Sequence, residues 1–266
     1  MMFLKQGSVR PVVTTLQVLL GDQNPDGIFG PKTHVLVTKY QAAHRPGLKV
    51  DGIVGKDTWT ALMEDNDVVT IDVIDVDELV DDKGHRVANP GSTYTGQALA
   101  ALKAAGVDPI TLWGQSNGVA QMVHEVMSRV GRSGRMALLR IYGHGAAGSQ
   151  NVSAGKAALD EHVTSLDPVS FKWTEPSLGQ LAPFFAPWGS MELHGCHVAQ
   201  NGHLLLGTVA RAVKVPVTAG LHFQYAGHRG QWAFDGPTVT VFPHGSTLKA
   251  WSKAAAHAAS QLNRCG

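Results

Sequence analysis

Cysteine is scarce in this chain of 266 residues, which contains only Cys196 and Cys265. Two cysteines cannot supply the disulfide framework of a small secreted domain, and their positions give no reason to expect that they pair. No apolar run approaches the roughly 18 residues that a membrane-spanning helix needs. The first residues also lack the basic start and apolar stretch of a Sec-type signal peptide. These absences predict a soluble protein that is made in the cytoplasm.

Charged residues are also few, at 16% of the chain, and the net charge is only +1. This balance argues against a nucleic-acid-binding protein, because such domains carry a strongly basic surface. Hydrophobic residues make up 44% of the chain, which is enough to form a core and excludes general disorder. The length predicts one large domain or two modest ones.

An acidic segment divides the chain. Nine of its 21 acidic residues lie between Glu64 and Asp82. Within this segment, residues 68–77 are rich in β-branched side chains and partly alternate with aspartates, which predicts a strand. We therefore predict an N-terminal domain of residues 1–66 and a C-terminal domain of residues 67–266.

The N-terminal domain contains an internal repeat. The segment from Asp26 to Thr33 reads D-G-I-F-G-P-K-T, and the segment from Asp51 to Thr58 reads D-G-I-V-G-K-D-T. Each copy predicts a glycine-containing turn that leads into a helix. Apolar residues also recur at helical spacing from residue 9 to residue 20. The domain is therefore predicted to be a small three-helix bundle.

Both turns, the interval between them and the pairs Leu16-Gln17, Tyr40-Gln41 and Thr58-Trp59 resemble the peptidoglycan-binding domain of cell-wall hydrolases. The resemblance covers residues 4–63. It implies a helical bundle that holds peptidoglycan in a shallow groove, so peptidoglycan is the expected partner. The pattern does not identify the contact residues, and Tyr40 and Trp59 are expected to belong to the core.

The C-terminal domain alternates apolar runs with helical patterns. The predicted strands cover residues 110–113, 136–142, 190–194 and 215–219, and the predicted helices cover residues 119–130 and 204–213. Such alternation predicts an α/β domain with a mainly parallel sheet. In these sheets, reactive groups collect beyond the carboxyl ends of the strands.

Two predicted strand ends carry chemically reactive side chains. One continues into His144-Gly145, and the other continues into Gly195-Cys196. A thiol becomes a good nucleophile when a neighbouring histidine removes its proton or holds it as thiolate. Glycine allows backbone N–H groups to approach a developing oxyanion. We predict Cys196 as nucleophile, His144 as general acid and base, and the N–H groups of Gly145 and Cys196 as the oxyanion hole.

This arrangement also resembles a known family. A strand that ends in His-Gly, followed after about 50 residues by a strand that ends in Gly-Cys-x-x-Ala, resembles the caspase–gingipain–legumain fold. The resemblance implies a caspase-like α/β domain with His144 as the catalytic histidine and Cys196 as the nucleophile. No segment matches the substrate pocket of caspases, so no cleavage specificity is implied. We expect Ser116, His194 and His197 to line the cleft.

Two other chemistries are compatible with the sequence. Residues 114–118 read G-Q-S-N-G between a strand and a helix, which is the setting of an esterase nucleophile, here Ser116. Helix N-capping explains Ser116 and Asn117 equally well. A metal site could draw on five histidines and one cysteine, although the H-x-C-H cluster has no known zinc spacing; these residues are His144, His194, Cys196, His197, His203 and His222. The favoured prediction contains no metal and no cofactor.

The predicted function is a peptidoglycan-targeted cysteine hydrolase that cleaves an amide bond in the wall or in a wall-associated protein. A non-catalytic wall-binding protein is the alternative from another class. Without a Sec signal peptide, we expect export to the periplasm or wall through a contact-dependent secretion system or phage-type lysis. An exported antibacterial effector or a lysin would fit, with secretion machinery or an immunity protein as further partners.

Overall fold

Three helices form the N-terminal part of the protein, as the sequence predicts. The computed structural model describes residues 3–76, 78–80, 82–88, 94–113, 118–131, 134–153, 164–225 and 234–265. Proline opens the first two helices, because its fixed φ fits the first helical turn. The helices are α1 (Pro11–Leu19), α2 (Pro31–Ala43) and α3 (Lys56–Asp65). The first strand begins only at Val69, and the predicted domain division at residues 66 and 67 stays a prediction.

The remainder of the described chain alternates strands with five helices. The helices are α4 (Tyr94–Ala104), α5 (Gly118–Val130), α6 (Phe171–Gly179), α7 (His203–Val213) and α8 (Leu248–Cys265). The strands of the main sheet are β1 (Val69–Asp75), β4 (Ile110–Leu112), β5 (Met136–Tyr142), β9 (Phe185–His194), β10 (Val217–Gly220) and β11 (Thr238–Val241). Smaller strands are β2 (Glu78–Val80), β3 (Arg86–Ala88), β6 (Gly145–Ala146), β7 (Ser149–Asn151) and β8 (Ser165–Leu166).

The main sheet has six strands in the order β11-β10-β9-β5-β1-β4. All neighbouring pairs are parallel except β10 and β11. The prediction of an α/β protein with a mainly parallel sheet is therefore confirmed. The predicted strand at residue 190 is longer than expected, since β9 already begins at Phe185.

Different elements cover the two faces of the sheet. Helices α5, α6 and α7 cover one face with an apolar core that includes Ile71, Leu139 and Leu193. Helices α4 and α8 and the N-terminal helices cover the opposite face. Two buried hydrogen bonds fix the N-terminal helices there: Thr15 donates to the carbonyl of Trp188 at 2.6 Å, and the Thr14 and Ser252 hydroxyls lie 2.7 Å apart.

Among the helices in the described part of the chain, none is both long and apolar enough to span a bilayer.

Candidate functional site

The two repeated turns of the N-terminal helices are built in the same way around a buried glutamine. In the first copy, the Gln17 amide nitrogen donates to Asp26 at 2.8 Å, to Thr33 at 3.0 Å and to the carbonyl of Ile28 at 3.1 Å. Its amide oxygen accepts from the backbone N–H groups of Asp26 at 3.0 Å and Gly27 at 2.8 Å. The D-G-x-x-G-x-x-T spacing thus places its aspartate and threonine around one side chain.

Gln41 repeats this network in the second copy. Its amide nitrogen donates to Asp51 at 3.3 Å and to Thr58 at 3.1 Å, and its oxygen accepts from the N–H of Gly52 at 2.9 Å. The repeat is therefore a structural device, since each copy satisfies a buried amide completely. As expected, Trp59 lies in the core and is 4% exposed. Tyr40 is half-buried, and its hydroxyl donates to Asp65 at 2.7 Å.

The predicted reactive side chains follow two neighbouring strands. Strands β5 and β9 are parallel, and Tyr142 on β5 is paired with His194 on β9. His144 and Cys196 each follow their paired residue by two positions. The predicted adjacency of the two strands is confirmed, and both turns lie at the carboxyl edge of the sheet.

Two glycines allow these turns to touch. A Cβ added at Gly145 would lie 2.8 Å from the backbone oxygen and 2.9 Å from the backbone nitrogen of Cys196. A Cβ added at Gly195 would lie 3.0 Å from the Cα of Gly145. Real Cβ atoms do not approach backbone as closely as at Gly145, and a Cβ at Gly195 would be crowded, so the contact between the turns favours glycine at both positions.

The backbone of Gln224 borders the thiol of Cys196. The N–H of Gln224 donates to Sγ at 3.4 Å, and its carbonyl oxygen lies 3.7 Å from Sγ. The Gln224 side chain is buried and fixes this loop through two hydrogen bonds to Asp235. Its amide nitrogen donates to the backbone carbonyl at 3.2 Å, and its amide oxygen accepts from the backbone N–H at 2.9 Å. Cys196 itself is half-buried, so one side of it is accessible.

Tyr94 connects the two strand ends. Its hydroxyl donates to the carbonyl of His194 at 2.7 Å, and its ring centroid lies 6.5 Å from that of His144. Burial raises the pKa of Tyr94, and electrostatic interactions with Cys196 and Asp235 raise it further. The phenol therefore adjoins both strand ends at the carboxyl edge of the sheet.

His194, the last residue of β9, is buried inside the protein. Its ring is stacked between Tyr142, with centroids 4.7 Å apart, and Phe234, with centroids 4.2 Å apart. Its Nε2 lies 3.1 Å from a carboxylate oxygen of Glu192. At 3% exposure, His194 supports the strand end from within and presents no accessible side chain to a cleft.

His197 is half-buried beside the Cys196 turn and adopts a positive φ of 58°. Its Nδ1 lies 3.2 Å from the carbonyl oxygen of Leu221, and its ring packs edge-on against Phe223 with centroids 4.3 Å apart. Ser116, the alternative nucleophile, lies outside the described residues, which resume with α5 at Gly118.

Tyr94, Gln224 and Asp235 belong to the site but are absent from the sequence prediction. They come from three separate segments, and none belongs to a short motif. Tyr94 opens α4, whose alanine-rich sequence resembles that of an ordinary surface helix. Within the part of the chain that the structure describes, no three His, Cys, Asp or Glu side chains gather as a metal site would require.

The N-terminal helices match a known family. Residues 6–62 match the family model described as "Putative peptidoglycan binding domain". No curated protein matches the chain. The family match covers both glutamine-centred turns and supports an N-terminal peptidoglycan-binding domain.

Proposed function

We propose that the protein is a peptidoglycan-targeted cysteine hydrolase. The observation that carries this proposal is the contact between the His144-Gly145 turn and the Gly195-Cys196 turn at the ends of two neighbouring parallel strands. One turn supplies an imidazole and the other supplies a thiol, which are the two groups that nucleophilic acyl transfer requires. The family match at residues 6–62 supports wall targeting. A bound N-terminal domain would raise the local concentration of wall substrate around the thiol.

In the proposed reaction, the Cys196 thiolate attacks the carbonyl carbon of an amide and forms a carbon–sulfur bond. The backbone N–H groups of Gly145 and Cys196 stabilise the oxyanion. The carbon–nitrogen bond then breaks, and His144 gives its proton to the leaving amine. Water attacks the thioester with His144 as base, which releases the acid and restores the thiol.

The proposed substrate is an amide in the peptide stem or cross-link of peptidoglycan, or in a wall-associated protein. The Gln224 loop borders the sulfur on one side, so the substrate approaches from the accessible side of Cys196. The caspase-like character of the α/β domain belongs to this proposal, since it rests on the order of the His-Gly and Gly-Cys strand ends.

The test is hydrolysis of purified cell walls by the full-length protein and its variants. Cys196→Ala and His144→Ala should each remove most turnover, because each eliminates one partner of the acyl transfer. Both variants should still sediment with insoluble peptidoglycan, because binding resides in the other domain. Cys265→Ser is the matched control and should retain activity.

Three outcomes would favour other functions. Full activity of Cys196→Ala would exclude the thiol mechanism. Loss of activity in Ser116→Ala with an active Cys196→Ala would favour the serine esterase. Wall binding without turnover in the wild-type protein would favour a non-catalytic wall-binding protein.

The contact between the two turns gives a second test. Gly145→Ala should lower activity strongly, because its Cβ would collide with the backbone of Cys196. Gly207→Ala is the control, since nothing lies within 4 Å of a Cβ at that position of α7. Equal activity of the two variants would argue against a role for this contact.

A further inference from the structure

We propose that Arg10 of the N-terminal helical part is a positioning residue for Cys196, acting through Glu192 and His194. The peptidoglycan-binding unit would then complete the hydrolase site as well as target it. The effect on turnover rests on the proposed function, but the effect on the reactivity of the thiol does not.

A largely buried series of polar contacts leads from the N-terminal part to His194, two residues before the proposed nucleophile. An Arg10 guanidinium nitrogen lies 3.5 Å from Oε1 of Glu192, and Oε2 of Glu192 lies 3.1 Å from Nε2 of His194. The side chains are 14%, 4% and 4% exposed, respectively. Glu192 and His194 share one face of β9, since they are two residues apart. Cys196 lies two residues beyond His194.

His194 is the part of the chain that determines where the Cys196 turn begins. Its ring is fixed between Tyr142 and Phe234. Its backbone carbonyl accepts the hydrogen bond from Tyr94, whose ring lies beside that of His144. A shift of His194 would therefore move both the residue that leads into Gly195 and the tyrosine that adjoins the catalytic histidine.

Arg10 contributes to the charge state of Glu192. Burial alone would raise the pKa of Glu192, but the hydrogen bond from His194 and the charges of Arg10 and Arg140 lower it to about 2. Burial lowers the pKa of His194 despite its bond to Glu192. At neutral pH the carboxylate can only accept, so the neutral imidazole donates its Nε2 proton.

Arg140 is already paired with a different carboxylate. It lies across from Glu192 on β5, but its guanidinium is committed to Asp72 through contacts of 2.7 and 2.9 Å. Arg10 is the cation that the N-terminal part contributes to Glu192. Without Arg10, the buried Glu192 carboxylate has a weaker counter-charge. This favours displacement of Glu192 and of the His194 imidazole that donates to it.

The experiment measures the alkylation rate of Cys196 by iodoacetamide at neutral pH. The full-length protein carries Cys265→Ser, so that Cys196 is the only thiol. Arg10→Ala should slow alkylation, and also turnover if the protein is a hydrolase, by roughly ten- to a hundredfold, because catalytic groups tolerate little displacement. The KM for purified walls should change much less than kcat. Arg10→Lys should restore part of the rate, since it returns the charge without the guanidinium.

Thr14→Val is the matched control for the interface. It removes the hydrogen bond to Ser252 at the same boundary without touching the Arg10 chain. It should lower the thermal stability but leave the alkylation rate of Cys196 unchanged. An equal slowing in Thr14→Val and Arg10→Ala would overturn the proposal, because general loosening of the interface would then suffice.

A double-mutant cycle tests whether Arg10 acts through Glu192. In a Glu192→Gln background, Arg10→Ala should have little further effect on alkylation. The Arg10→Ala/Glu192→Gln variant has lost both charges of this pair. It can therefore be measured even if Arg10→Ala alone does not fold. Independent effects of the two substitutions, or wild-type alkylation in folded Arg10→Ala, would overturn the proposal. A protein that does not hydrolyse walls but shows the predicted alkylation pattern would refute the proposed function and retain the positioning role.

Discussion

The two faces of the central sheet differ in chemistry, although the same strands form both. The face beneath α5, α6 and α7 is apolar, with Ile71, Leu139 and Leu193 among its buried residues. The opposite face carries a buried row in which Asp72 pairs with Arg140, and Arg140 lies opposite Glu192. The row continues through Thr218, which is opposite Glu192 and hydrogen bonds to Thr240 at 2.8 Å.

The two faces therefore contribute differently to the fold. Apolar contacts are non-directional, so the first face stabilises the fold without determining which charged group meets which. Buried charges require specific partners, and on the second face Arg10 of the N-terminal part meets Glu192. The proposed link from this second face to the strand ends that carry His144 and Cys196 runs through Glu192 and His194.

The largest effect should come from breaking the buried ion pair. Asp72→Ala should cost about 3–5 kcal/mol of unfolding free energy, because it leaves Arg140 buried without its carboxylate. Denaturant unfolding monitored by tryptophan fluorescence measures this loss. The double variant Asp72→Leu/Arg140→Met should lose less than Asp72→Ala alone. If Asp72→Ala lowered the free energy of unfolding by less than about 1 kcal/mol, the pair would behave like an exposed ion pair. That result would contradict the view that the charged face requires specific partners.

A second prediction is that low pH destabilises the protein through the buried charges of the second face. His194 has a lowered pKa in the folded state, so the unfolded protein binds more protons and stability falls as the pH drops below about 6.5. The pKa of Glu192 falls from 4.5 to about 2 on folding, so its contribution is present above pH 4.5 and is lost as the pH falls towards 2.

From this shift, Glu192 should contribute on the order of 3 kcal/mol, at 1.36 kcal/mol per pKa unit. Unfolding free energies measured between pH 7 and pH 2 test the prediction. Glu192→Gln should flatten the profile below pH 4.5, whereas Ile141→Val on the apolar face should shift the whole curve without changing its shape. An unchanged acid slope in Glu192→Gln would show that other groups govern the acid response.

The smallest effect should come from trimming the apolar face. Ile141 is fully buried there, and Ile141→Val should cost about 0.5–1.5 kcal/mol, because it removes one methylene group from a packed core. Iodoacetamide should alkylate Cys196 in this variant at the wild-type rate. If alkylation slows as it is expected to do in Arg10→Ala, the two faces do not differ in their influence on the site.

Much of the fold could be predicted, because its signals are local. Strand β5 has the predicted bounds, because six of its seven residues are apolar or aromatic, which is typical of a buried strand; Arg140 is the exception. Helix α7 begins one residue before its predicted start. Helices α4, α6 and α8 were not predicted, and α6 contains Pro176, which disfavours a helix interior.

The candidate site was only partly predictable. His144 and Cys196 stand out because each follows a strand and adjoins glycine. Tyr94 and Gln224 carry no such mark, and they enter the site only because α4 and the loop after β10 fold against it. His194 has the sequence position of a cleft residue, yet the rings of Tyr142 and Phe234 enclose it.

The sequence by itself determined the two glutamine-centred turns. Gln17 lies within 16 residues of its partners and Gln41 lies within 17 of its partners, so a short spacing is sufficient to build each network. Only the tertiary structure decided that Arg10 meets Glu192, which lies 182 residues further along the chain. A charge has no preferred sequence separation, because Coulomb attraction depends on distance in space and on burial. The pairing could therefore be recognised only once the folded structure had brought the N-terminal helices and β9 together.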